Sequence, residues 1–162
     1  MKKITNANRF KWLSIFILSL LVCSLFAQEI QLRDGLYYKK GMLYTGVHKE
    51  YYDSNELMAE YEIANGALDG LTLFYYKDGT LKEQHFYKDG QKNGAWINWT
   101  SRGVKIAEAN YLNDKKHGDW FIWNEQGILL YEMHYNQGIK TGIWRNYNQN
   151  GQLLKERKFS DK

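Results

Sequence analysis

At 162 residues the chain has room for one domain or one short array, and it is built with thirteen tyrosines, six tryptophans, fourteen glycines and no proline. Its formal net charge of +4 comes from Lys2, Lys3, Arg9 and Lys11 alone, so residues 28–162 carry 18 basic against 18 acidic side chains. That neutrality excludes binding driven by a net basic surface, and with it nucleic acid as the expected partner.

Residues 1–27 differ from the rest. A basic, acid-free start is followed by an apolar run from Trp12 to Ala27 and by a small residue at the Ala27–Gln28 junction. This is the layout of a secretory signal, an N-terminal signal helix cleaved near Ala27. The apolar run is 16 residues, short of the roughly 20 needed to span a bilayer. The expected location is therefore secreted, periplasmic or in the cell envelope, the alternative being a membrane anchor left uncleaved. Cys23, the only cysteine, follows Val22, where a lipoprotein-processing site takes a small residue. Once the leader is removed, no thiol, disulfide or cysteine-metal chemistry remains.

Residues 28–45 contain two short apolar stretches, Leu36-Tyr37-Tyr38 and Met42-Leu43-Tyr44-Thr45, which read as capping strands. A repeat follows. Gly46, Gly70, Gly94, Gly118 and Gly142 are spaced 24 apart. Five residues after them come Tyr51, Tyr75, Trp99, Trp123 and Tyr147, and fourteen after come Glu60, Gln84, Glu108, Glu132 and Glu156. Trp96, Trp120 and Trp144 stand two after the last three glycines. Five units are delimited, 46–69, 70–93, 94–117, 118–141 and 142–162.

Within a unit, Leu71–Tyr76 and Leu81–Tyr87 are rich in strand formers and flank Asp78-Gly79, a hairpin signal. A two-residue turn there, with a longer connection over Lys88–Gly94, predicts that the third residue after each leading glycine faces the fourteenth. Lys49 then lies opposite Glu60, Leu73 opposite Gln84, Ile97 opposite Glu108, Phe121 opposite Glu132 and Arg145 opposite Glu156. The fold class expected is all-β, an elongated single-layer twisted antiparallel sheet of consecutive hairpins. One hairpin cannot bury a core, so neighbours must stabilise one another.

The pattern Gly-x-Trp-x-x-Tyr-x-x-x-Gly-x-Leu-x-x-Glu, best seen from Gly142 to Glu156, resembles the MORN-repeat variant of bacterial proteins. Together with the lead-in Asp34-Gly35-Leu36-Tyr37 and Leu43-Tyr44-Thr45-Gly46, it is similar to the grouping known as YwqK-type antitoxins of toxin–antitoxin systems. The resemblance covers residues 34–162. It implies the hairpin array and a protein-interaction role, antitoxin- or immunity-like, with a toxin or envelope component as partner.

His48, His85, His117 and His134 occupy four different slots and make no metal-ligand spacing. The glutamate slot recurs along the array, whereas an enzyme needs one site, so cross-strand pairing explains it. No catalytic residue, metal, cofactor or small-molecule substrate is expected, and the protein is read as a non-enzyme. The binding candidate is an aromatic ladder of Trp96, Trp99, Trp120, Trp123, Trp144, Tyr51, Tyr75 and Tyr147. Such rings dominate protein interfaces. They also stack on sugars and sit at lipid headgroups, so a glycan- or lipid-binding module is one alternative, with membrane contact, and a structural spacer another.

Overall fold

The computed structural model describes residues 29–160, which form strands and turns and no helix. The expected leader over residues 1–27 lies outside them. The described chain divides into two units between Tyr44 and Thr45.

In the first unit, β1 (Ile30–Arg33), β2 (Leu36–Lys39) and β3 (Met42–Leu43) form their own antiparallel sheet in that order. Its two-residue turns, Asp34-Gly35 and Lys40-Gly41, have positive φ at both positions, as type I′ hairpins require. Strand β1 was not among the expected elements. It is four residues long with three of them exposed, too short for an alternation to stand out.

The second unit is one antiparallel meander of β4 (Gly46–Tyr51), β5 (Leu57–Ala64), β6 (Ala67–Tyr75), β7 (Leu81–Lys88), β8 (Gln91–Lys92), β9 (Gly94–Trp99), β10 (Lys105–Leu112), β11 (Lys115–Trp123), β12 (Leu129–Asn136), β13 (Ile139–Tyr147) and β14 (Leu153–Phe159). Strands β8 and β9 both pair with β7 and share one lane, interrupted at Asn93. The fold class expected from the sequence is the one observed.

Pairing register runs across the sheet in continuous rows. One row is Lys49–Glu60–Leu73–Gln84–Ile97–Glu108–Phe121–Glu132–Arg145–Glu156, each residue directly opposite the next. Every predicted pair of the third and fourteenth positions is therefore present. The row beside it is Glu50–Ala59–Phe74–Glu83–Asn98–Ala107–Ile122–Tyr131–Asn146–Lys155. Adjacent residues on a pleated strand point to opposite sides, so these two rows lie on opposite faces.

The turns that produce this register are not the expected ones. The turn at Asp78-Gly79 has three residues, because Tyr76 N–H donates to Thr80 O at 2.9 Å and Gly79 N–H to Tyr76 O at 2.9 Å. Only Gly79 in this loop has positive φ, at 82°, which identifies a type I turn closed by a glycine bulge. Tyr75 pairs with Leu81 but Phe74 with Glu83, so Lys82 is an extra residue. The longer turn and the bulge shift pairing by one residue in opposite senses, and they cancel. All five units repeat this device.

Conversely, the connection thought long is the tight one. Asn65-Gly66, Asp89-Gly90, Asn113-Asp114 and Gln137-Gly138 all have positive φ at both positions and link residues paired directly across, such as Ala64 with Ala67 and Lys88 with Gln91. Just beyond each of these turns the next leading glycine sits in a second irregularity. At Gly70 (φ 114°) the Glu62 carboxylate lies against the Cα and accepts the Leu71 N–H at 2.8 Å. At Gly142 (φ 64°) the His134 ring would stand 3.3 Å from an added Cβ. The 24-residue glycine period thus records a backbone turn of the wrong hand for side chains, packed under a neighbour.

A one-layer sheet buries little. Among the described residues only Ala59, Ile63, Gly66, Thr72 and Tyr135 are buried. The lateral contacts of the rows must supply the stabilisation that a core supplies elsewhere.

Candidate aromatic binding face

Trp96, Trp120 and Trp144 begin one face. Each indole N–H donates to a backbone carbonyl ten residues earlier: to Phe86 at 3.1 Å, Asn110 at 2.9 Å and His134 at 3.0 Å. That bond and the pleat fix the ring plane. Between the tryptophans stand Tyr111 and Tyr135, and Phe159 follows, giving a run Trp96–Tyr111–Trp120–Tyr135–Trp144–Phe159 with centroid separations of 5.2, 5.2, 5.3, 5.1 and 4.9 Å. Toward the first unit of the array the run continues through His85, stacked on Trp96 at 3.8 Å and 11°, to Phe74, Tyr61 and His48. Tilted and edge contacts at such distances are each worth about 0.5–1.5 kcal/mol beyond their burial, so this spine is a principal source of inter-unit stability.

Lysines cover it. Lys92, Lys116 and Lys140 place their ammonium groups 4.3, 4.3 and 4.5 Å from the centroids of Trp96, Trp120 and Trp144. Each also reaches the following ring, Tyr111, Tyr135 or Phe159, at 5.0–5.6 Å. Each contact is a cation–π interaction of about 0.5–1 kcal/mol at an exposed site. These lysines recur at the 24-residue period (22 after Gly70, Gly94 and Gly118), so the sequence itself carries their signal. Burial raises the Tyr111 and Tyr135 phenol pKa values, Tyr111 with help from Tyr135. Burial lowers that of His85, with Glu83 opposing and Lys92 reinforcing the shift.

The eight ladder residues expected from the sequence do not form one ladder. Trp96, Trp120 and Trp144 lie on the spine face. Tyr51, Tyr75, Trp99, Trp123 and Tyr147 lie on the other, because slots two and five of a unit are an odd number of residues apart on a strand. On that opposite face the rings mix with ion pairs. Arg145 donates to Glu132 and Glu156, both at 3.0 Å. Tyr147 donates to Glu132 at 3.3 Å, and Lys105 contacts Glu108 at 2.8 Å while lying 4.5 Å from the Trp123 centroid. The glutamate slot is thus a structural partner for basic residues where these are available.

The two faces differ in charge. From β9 to β14 the paired positions on the spine face include Trp96, Asn98, Ala107, Ala109, Tyr111, Lys116, Trp120, Ile122, Tyr131, Met133, Tyr135, Lys140, Trp144, Asn146, Lys155, Arg157 and Phe159, and none is acidic. Glu108, Asp119, Glu132 and Glu156 are all on the reverse side. Ile122 and Tyr131 remain 39% and 41% exposed, so this face meets solvent with aromatic, aliphatic and cationic groups together. No cluster of three metal-ligating side chains occurs among the described residues, and no described helix is long and apolar enough to cross a membrane.

Residues 68–89, 116–137 and 140–161 match the model of the MORN repeat variant. Those three segments are similar to MORN-variant repeats. The three matched segments start two residues before Gly70, Gly118 and Gly142, in phase with the 24-residue period. MORN repeats serve generally as modules of interaction with proteins or lipids. No curated protein matches the chain.

Proposed function

We propose that this MORN-variant array is an exported, non-catalytic module whose spine face binds a protein partner in the cell envelope. The supporting observation is the division of the sheet between Gly94 and Phe159: one face pairs its carboxylates with basic side chains, the other presents rings and cations without a carboxylate. Tryptophan, tyrosine and arginine are the residues that concentrate binding energy at protein interfaces. A thin sheet also leaves those rings half-exposed without further rearrangement. The resemblance to YwqK-type antitoxins supports an immunity-like use, with a toxin acting in the envelope as the partner. The apolar segment before Gln28 supports export.

A photo-crosslinking residue tests the reading when placed at Ile122 on the spine face and, separately, at Lys158 on the reverse. In cells of the source organism, the Ile122 probe should yield one dominant protein adduct and the Lys158 probe none. Equal adducts from both positions would remove the assignment of a face. Mass spectrometry of the same native protein should find Gln28 at the N-terminus, and an intact Met1 would remove the export reading.

The acid-free cationic face also supports a second reading, an anionic lipid surface. Flotation with phosphatidylglycerol vesicles that Lys116→Glu abolishes, together with an absence of protein adducts, would favour it.

A further inference from the structure

At the last unit of the array the spine face deepens into a groove of about 320 Å³. Tyr131, Met133, Trp144 and Phe159 line it. Lys155 and Arg157, two residues apart on β14, and Lys140 on β13 bring three cations to the same space. None of these cations forms an ion pair with a described residue. Lys140 and Arg157 lie over rings instead, Arg157 at 4.8 Å from the Phe159 centroid. The nearby carboxylates, Glu132 and Glu156, point to the reverse face, where Arg145 holds both. Three neighbouring cations without a counter-charge repel one another, and an incoming anion relieves that repulsion.

We propose that this groove seats an acidic peptide segment of the protein partner, one in which carboxylates alternate with apolar side chains. The inference rests on the reading of the spine face as a protein-binding surface, and it names the chemistry of that partner. Three observations select this occupant. Side chains two apart on an extended peptide point the same way about 6.6 Å apart, the spacing at which Lys155 and Arg157 leave β14. Arg157 offers a planar fork to a carboxylate. Met133, Tyr131 and Trp144 provide the adaptable apolar walls that protein side chains fill. A sugar needs acceptors as well as donors for its hydroxyls, and among the lining side chains apart from the Tyr131 phenol only Asn146 carries a neutral acceptor. A bilayer surface needs no single concave slot.

The test uses the full chain and a capped peptide, acetyl-Leu-Glu-Leu-Glu-Leu-amide, beside its glutamine twin, with binding followed by calorimetry at low salt. The glutamate peptide should bind at least tenfold more tightly than the twin. Arg157→Glu and Lys155→Glu should each weaken it at least tenfold, and the milder Arg157→Gln should weaken it by a smaller factor. Lys158→Glu makes the same charge change on the same strand but on the reverse face, and should leave binding within twofold. Unchanged far-ultraviolet dichroism of each variant separates lost binding from lost fold. Equal binding of both peptides, or equal weakening by Lys158→Glu, would overturn the proposal. So would tighter Arg157-dependent binding of polygalacturonate or of phosphatidylglycerol vesicles than of the peptide. If the peptide fails while the Ile122 adduct persists, only the groove assignment falls, not the protein-binding face.

Discussion

At the scale of single residues, the sheet contains departures from its own repeat that predict measurable effects. Thr72 occupies the slot that holds tryptophan in the last three units, and it is buried with its hydroxyl lacking a hydrogen-bond partner. An unpartnered buried hydroxyl costs about 1–3 kcal/mol, so Thr72→Val, which keeps the branched shape, should raise stability by about 1 kcal/mol in urea denaturation. Burial beside Trp96 lowers the pKa of His85. Its folded pKa lies below the value in the unfolded chain, so the unfolded state takes up the proton more readily. The associated stability is fully present above the unfolded value near 6.5 and declines as pH falls through it. The thermal midpoint should therefore drop more between pH 7.5 and 5.5 for the parent protein than for His85→Gln. Equal drops would assign the pH dependence elsewhere.

Glycines give a paired comparison. Gly70 and Gly79 both have positive φ, 114° and 82°, a conformation costing about 1–3 kcal/mol for a side chain. Nothing lies within 4 Å of a Cβ at Gly79, whereas at Gly70 it would collide with the Glu62 carboxylate. Gly70→Ala must then also break the Glu62 bond to Leu71 N–H. Its destabilisation should exceed that of Gly79→Ala by at least about 1 kcal/mol, measured by the same denaturation.

At the scale of strands and turns, the sequence carried the rows but not the connections. Lys49 opposite Glu60 and Arg145 opposite Glu156 follow from a two-residue turn that the chain does not make, and they hold because the three-residue turn and the extra residue beyond it cancel. Asp78-Gly79 misled because the Asp-Gly signal serves both the two-residue turn and the type I turn with a glycine bulge. The compensating extra residue, Lys82 in the second unit and Leu154 in the fifth, has no signature of its own. Of the tight turns, Asn65-Gly66 and Asp89-Gly90 carry the same Asn-Gly and Asp-Gly signal as Asp78-Gly79, so the signal does not separate the two kinds of connection, while Gln137-Gly138 and Asn113-Asp114 match it weakly. The split of Trp96 from Trp99 was legible by parity alone, and the lysine covering each tryptophan by its period. Turn capping completes the units. Asn124 and Asn148 each accept two backbone N–H groups through one side-chain oxygen, at 2.9–3.0 Å, while Thr100 does so more loosely at 3.2–3.3 Å. Asn124→Ala should cost about 1 kcal/mol, and Thr100→Ala less.

At the scale of the array, stability should be a sum over units and their shared faces, since few side chains are buried and most ring contacts join adjacent lanes. Ending the chain at residue 141 removes Trp144 and Phe159 from the spine and Arg145 from Glu132, but it leaves β4 to β12 paired as they are. Ending it at residue 117 removes the next unit in the same way. The two shortened chains should each unfold in one sigmoidal transition, with urea midpoints that fall at each step. Their denaturant slopes should shrink in proportion to the surface lost. The outermost strand also changes character. Strand β14 presents Lys155, Glu156, Arg157 and Lys158, the charged kind of edge that discourages strand addition. The chain ending at 141 instead brings the Tyr131, Met133 and Tyr135 side of β12 near the edge, so sedimentation should show self-association at concentrations where the parent is monodisperse. A single core would behave otherwise: loss of the last 21 residues would abolish the cooperative transition altogether. That outcome at 141 would replace additive lateral contacts with one indivisible unit, and with it the reason for placing inter-unit stability in the aromatic spine.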